Sequence, residues 1–182
     1  QGQRNADFHA SFRACWDEQN LHLLVEVTDD TPMQNIHAGK DLWRGDCVEL
    51  FIGHEQLGRG GSLLFTDRQI LLGAARLDGT PQWHFAHAPE QHEIDLVVVP
   101  GPNGYTLEAA IPFQALGFSP APNQKLRFDL AIDNSDNGEQ RLSQLMWSGT
   151  AGNSGNRTNW GKARLLGGST ESRKTTNSRE SK

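Results

Sequence analysis

The sequence predicts an all-β fold, an antiparallel β-sandwich of about ten strands with one short helical turn, and three observations lead there. Apolar residues fall in short runs that alternate with polar ones, as in 21–27 (LHLLVEV), 105–111 (YTLEAAI) and 126–132 (LRFDLAI), so one face of each extended segment is apolar. Turn-forming clusters such as 100–104 (PGPNG) and 133–138 (DNSDNG) separate the runs. No stretch carries a 3.6-residue period over the roughly ten residues that a long helix needs. With 182 residues the chain suits one domain, placed at 1–167. The remaining 168–182, rich in Ser, Thr, Lys and Arg without an apolar anchor, reads as a disordered linker or tail.

Taken in order, 18–20 (EQN) joins the first two strands in a hairpin, with Phe12, Ala14 and Trp16 facing Leu21, Leu23, Val25 and Val27 on the core side. The polar stretch 31–46 (TPMQNIHAGKDLWRGD) has no period, and its length favours a functional loop over a simple connection. In the strand 47–52 (CVELFI), Val48, Leu50 and Ile52 share one face while Cys47, Glu49 and Phe51 share the other. Further strands are expected at 62–66 (SLLFT), 69–77 (QILLGAARL), 83–87 (WHFAH) and 92–99 (HEIDLVVV). Tyr105, Leu107, Ala109 and Ile111 point inward in the next, and Pro112 opens the helical turn within 112–118 (PFQALGF). Leu126, Phe128, Leu130 and Ile132 form another inward face, and 144–149 (QLMWSG) and 161–166 (GKARLL) close the fold.

Lys plus Arg of 17 against Asp plus Glu of 22 gives a formal charge of -5, and no basic stripe is interleaved with aromatics, so nucleic acid is not an expected partner. No apolar run is long enough for a membrane span, and 1–8 (QGQRNADF) lacks the pattern of a signal peptide. Neither a GxSxG elbow, an HExxH pair nor a phosphate loop is written here, so the chain reads as a non-enzyme. Glu93 and Asp95 share a strand face, either as glycosidase carboxylates do or as a solvated face. His84, His87 and His92 lack regular ligand spacing. Cys15 and Cys47 lie on the non-core faces of their strands and either form a disulfide, if those strands are neighbours, or remain free thiols.

In 133–138, oxygens at Asp133, Ser135 and Asn137 precede Gly138; Asp133 and Asp136 are the candidate ligands of an irregular structural calcium loop, with an ordinary turn as the alternative. Gln144 stands where an EF-hand needs its glutamate, so that motif is excluded. Trp16 and Trp147 are in phase with apolar neighbours and read as core. Trp43, flanked by Asp41, Arg44 and Asp46, would drag charges inward if buried. An aromatic on a polar surface suits stacking on the C–H face of a sugar ring, with nearby charged groups bonding its hydroxyls; the bland alternative is a tryptophan packed under its own loop.

Taken together and in this order, 21–32 (LHLLVEVTDDTP), 42–53 (LWRGDCVELFIG), 104–118 (GYTLEAAIPFQALGF), 126–141 (LRFDLAIDNSDNGEQR), 146–149 (MWSG) and 159–166 (NWGKARLL) resemble family 9 carbohydrate-binding modules. The resemblance spans about 12 to 166. It implies a non-catalytic β-sandwich that binds sugars or polysaccharide chain ends, supported by structural calcium and needing no organic cofactor. Such a module accompanies an appended catalytic or surface domain in a secreted protein, extracellular or periplasmic and bacterial. Carried over by position, Trp43 would be an aromatic platform and Glu49 a hydroxyl acceptor, with Trp160 as second platform and Arg68 and Asp30 as further hydroxyl contacts. The family's opening segment, with its DG and early tryptophan, has no counterpart in 1–182, so either that edge strand has been trimmed away or the sandwich edge is completed differently. Two other readings remain open: an interaction or structural domain of an extracellular multidomain protein, and a haem-binding domain of the related sandwich fold, for which Met33 or Met146 with a histidine such as His37 would be the axial pair.

Overall fold

The computed structural model describes residues 8–56, 59–75 and 80–167, so the linker expected at 168–182 and the end of the strand expected at 69–77 lie outside the described residues. In chain order the strands are β1 His9–Trp16, β2 Asn20–Thr28, β3 Cys47–His54, β4 Arg68–Ala75, β5 Thr80–His87, β6 Asp95–Gly101, β7 Gly104–Pro112, β8 Lys125–Asn134, β9 Ser143–Met146 and β10 Gly161–Arg164. One sheet has the order β1-β2-β7-β6 and the other β10-β8-β3-β4-β5, all antiparallel, the sandwich that the alternating runs imply. Two short strands share one edge of β8: β10 pairs with its first half and β9 with its second, Ala131 opposite Met146 and Asp133 opposite Gln144. The helical turn α1 is Phe113–Leu116, closed by Gly117 in the left-handed region (φ 79°).

The inward parities hold. Leu21, Leu23, Val25, Val27, Leu107, Ala109 and Ile111 meet Val48, Leu50, Ile52, Ile70, Leu72, Leu126, Phe128, Leu130 and Ile132 in one core. At the β1 edge the cover thins: Phe12 and Trp16 are half-buried and Ala14 is exposed. Trp147, expected in the core, is 49 % exposed and instead caps this edge, packing edge-on against Phe12 and Phe128 at 5.6 and 5.7 Å. The segment 62–66 is a loop and not the expected strand. There the Asp67 carboxylate accepts from the Leu64 amide (2.7 Å) and closes a turn, which removes the backbone from ladder pairing. Cys15 and Cys47 are free, one exposed on the outer face of the smaller sheet and one buried on the outer face of the larger; the whole sandwich separates them.

The larger sheet is buried on both faces, because loops fold over its outer side. Leu42, in a 3-10 turn at Gly39–Arg44, packs on Cys47 and Leu71, a burial that contributes about 1.5–3 kcal/mol. Asn35 anchors this loop, donating to the carbonyls of Leu42 (2.7 Å) and Asp46 (3.1 Å), while Asp46 accepts from the amides of Gln34 (2.6 Å) and Ser135 (2.8 Å). The Asn35 side chain runs so close to Gly45 that a Cβ there would sit 2.4 Å from Asn35 Cγ. A second cover, 149–160, rests on Trp160 packed against Phe51 and Ala131, and is pinned by the fully buried Arg157, whose Nε lies 3.2 Å from Asp67. Gly45→Ala is expected to cost about 1–3 kcal/mol and lower Tm by several degrees in a thermal melt, because a buried polar anchor must shift.

Candidate functional site

Glu49 lies on the outer face of the central strand β3, with the apolar residues Ala131 and Leu71 as its register partners. It is 4 % exposed, so side chains must supply its hydrogen bonds. Gln69 Nε2 donates to Oε2 at 2.6 Å, Gln144 Nε2 to Oε1 at 3.0 Å and Arg141 Nη1 to Oε1 at 3.4 Å. Asp133, on the same face of β8, shares two of these donors: its Oδ1 accepts from Arg141 Nη1 and Gln144 Nε2, each at 2.8 Å. Two buried carboxylates thus share one guanidinium. Burial, followed by repulsion from Glu49, pushes the Asp133 carboxyl up to about 9, against the pull of Arg141. Asp133 Oδ2 and Gln144 Oε1 are buried without a hydrogen-bond partner.

The 3-10 turn that sinks Leu42 into the sheet turns the next residue, Trp43, outward; it is 39 % exposed, with Arg141 Cζ 4.8 Å from its ring centroid. Together these groups line a cleft of about 180 Å³, walled by Trp43, Arg141, Glu49, Gln69, Gln144 and Asn153. Asn153 fixes the far wall, donating to Asp129 Oδ2 (2.9 Å) and accepting from the Thr150 amide (3.1 Å), and leaves Thr150, Ala151 and Ser154 facing the opening. The cleft offers the indole of Trp43, a cation, and a floor of amides and one carboxylate. It suits a small polyhydroxylated ligand with one apolar face.

The structure brings Trp43 and Glu49 together and places the other expected contacts elsewhere. Trp160 is 1 % exposed, packed at a tilt against Phe51 at 5.4 Å with its indole N–H donated to the Asn153 carbonyl, so it has no face left for a ligand and supports the cleft from beneath. Arg68 is buried and donates to the carbonyls of Ala115, Phe65 and Asp67, tying β4 to α1. Asp30 is an exposed residue of the loop after β2 and does not line the cleft. Asp133 is bonded to Arg141 and Gln144 while Asp136 is exposed, so the pair does not fit a calcium site; among the described residues no group of three or more His, Cys, Asp or Glu could hold a metal ion.

Met33 belongs to the main core, Met146 packs on the Phe51–Trp160 cluster, and the His37 ring is bonded to the Glu139 carbonyl, an arrangement that offers no axial pair. Glu93 and Asp95 are exposed, as a solvated face would be. Sequence reasoning missed Arg141, Gln144, Gln69 and Asn153. The parity of 144–147 set against that of 47–52 could have found Gln144, whereas Arg141 lies in a loop with no periodic signal.

Between the ordinary carboxyl value of 3.8 and about 9, folded Asp133 holds a proton that the unfolded chain releases, so stability falls as pH rises through that window. Asp46 acts in the same direction up to about 7, chiefly through burial. Asp133→Asn, which mimics the protonated acid, should flatten the decline of Tm between pH 7 and 9 in calorimetry. Parallel curves for the variant and the parent chain would show that Asp133 does not titrate there.

Comparison with known proteins agrees with this architecture. The family model described as carbohydrate family 9 binding domain-like matches residues 1–168. An endo-1,4-beta-xylanase A of Thermoanaerobacterium saccharolyticum is 29% identical over 140 residues, covering 76% of this chain and 10% of that protein. A second endo-1,4-beta-xylanase A, from Thermotoga neapolitana, is 28% identical over 145 residues, covering 80% of this chain and 13% of that protein. The chain therefore spans only a small part of these relatives. A carbohydrate-binding module of family 9 from Caldicellulosiruptor kristjanssonii, solved with cellotriose, superimposes with a TM-score of 0.72 at 22% identity, over 91% of this chain and 78% of that one. A family 9 module from the same organism, solved with glucose, gives a TM-score of 0.70 at 21% identity, over 90% of this chain and 79% of that one. With the family model covering all the described residues and a sandwich of the same shape behind it, the chain belongs to the family 9 carbohydrate-binding domains, which are non-catalytic modules.

Proposed function

We propose that the cleft on the outer face of the larger sheet is the carbohydrate site and that it holds one sugar ring against Trp43. The observation that carries this reading is the meeting of a partly exposed indole with a donor and acceptor cluster, Glu49, Arg141, Gln69 and Gln144, in a single concavity. The C–H face of a pyranose would cover the indole while its hydroxyls exchange hydrogen bonds with the floor. With one platform and a few polar contacts, affinity falls in the micromolar range or weaker, about −8 kcal/mol or less in magnitude.

The wider setting extends this reading. The matched segment makes up only 10% and 13% of two relatives named as xylanases, which supports an accessory module joined to a catalytic or surface domain and acting on xylan or cellulose chains. Export to an extracellular or periplasmic space follows from that setting, and no helix among the described residues is long and apolar enough to cross a membrane.

Trp43→Ala is expected to abolish the saturable change in tryptophan fluorescence on titration with xylose, glucose or cellobiose, at a stability loss of about 1 kcal/mol or less. Unfolding of that variant would mean the indole is structural and the platform lies elsewhere. Glu49→Gln, which replaces one acceptor oxygen by an NH2 group facing either Gln69 or Gln144, should weaken sugar binding about tenfold or more in titration calorimetry, since the remaining amide oxygen can serve only one of those two donors.

A further inference from the structure

We propose that Arg141 is the specificity-determining residue of the cleft and that its unused guanidinium edge selects sugars bearing a carboxylate, the uronic acids, over neutral ones. This rests on the cleft being the sugar site. Among the described residues, both hydrogen bonds of Arg141 pass through one nitrogen, Nη1, which serves Glu49 and Asp133 together. The contact with the Trp43 ring consumes none of the N–H donors. Nε and Nη2 therefore keep their donors on a side chain that is 27 % exposed and lines the cleft beside the aromatic surface. That edge is a planar fork with two parallel donors, the geometry that fits a carboxylate in two charge-assisted bonds, whereas a hydroxyl engages such donors singly and without charge.

The neighbouring carboxylates do not forbid an anion there. Both Glu49 oxygens are already met by amide donors, Gln69 on one and Gln144 on the other, and Asp133 Oδ1 is met by Gln144. Burial and repulsion from Glu49 push the Asp133 carboxyl up to about 9, which favours its neutral form at neutral pH and lowers the negative charge an incoming anion would meet. The cation is also held in place from two sides, by the ring and by the Asp133 contact at 2.8 Å, so the fork is presented in a defined orientation.

The test is titration calorimetry of the chain with glucose, xylose, glucuronate and galacturonate, at low and high salt, for the parent chain, Arg141→Gln and Arg141→Lys. The readout is the ratio of neutral to acidic Kd. The parent chain is expected to favour the uronates by about tenfold at low salt, with the ratio shrinking as salt rises. Arg141→Gln should bring the ratio to about one, and Arg141→Lys, which keeps the charge and loses the fork, should retain only part of it. If the glutamine variant fails to fold, the lysine variant and the salt series carry the test. Neutral sugars bound as tightly as uronates by the parent chain, or a uronate preference that survives Arg141→Gln, would overturn the assignment while leaving the sugar site standing. A folded chain that binds neither class would overturn the sugar site itself.

Discussion

A carboxylate buried on the outer face of a central strand is the constraint around which half of this molecule is arranged. Glu49 sits between two apolar register partners, where an unpaired charge would cost several kcal/mol. Each element on that side supplies a part of the remedy: β4 presents Gln69, β9 is added to the free edge of β8 and presents Gln144, and the loop between β8 and β9 presents Arg141. The covering loops exclude water, which strengthens these contacts and turns the outer face of the sheet into a second, polar interior. The cleft is the part of that interior left open.

The two loop tryptophans show how environment divides one residue type into two roles. Trp43 follows a leucine that anchors its 3-10 turn, so the indole is left at the surface with a cation against it. Trp160 precedes the short β10 strand and lies under 149–160, where Phe51 and Arg157 enclose it. One presents a face and the other props the wall that the face looks toward. Losing either would damage the cleft, one through contact and one through shape.

Two buried acids sharing a cation also deserve comparison with hydrolytic sites. A glycosidase sets its carboxyls on either side of the scissile bond, at least about 5 Å apart, one as acid and one as base or nucleophile. Glu49 and Asp133 instead converge on the same Nη1 and the same Nε2, with both Glu49 oxygens and Asp133 Oδ1 committed to protein donors. With both acids on one guanidinium, the arrangement lacks the opposed pair of carboxyls that hydrolysis uses. The binding role of the family and the geometry of the cleft therefore agree.

Alternation in the chain by itself determined the sandwich, the inward faces of β2, β3, β7 and β8, the helical turn after Pro112, and the outward parity of Glu49. These are properties of a two-residue period and of turn chemistry, which are local and are written directly in the sequence. The anomalous charge on either side of Trp43 likewise marked an indole that would not be buried. Tertiary structure alone decided that Trp160 is enclosed, that Arg68 is committed to α1, and that Asp133 faces a guanidinium rather than a cation site. It also brought Arg141 and Gln144 to Glu49 across more than ninety positions of the chain. Such contacts depend on strand order, on which edge of β8 receives β9, and on how the loops pack over the sheet. No local period encodes those choices, because they are settled by the free energy of burying the whole face at once.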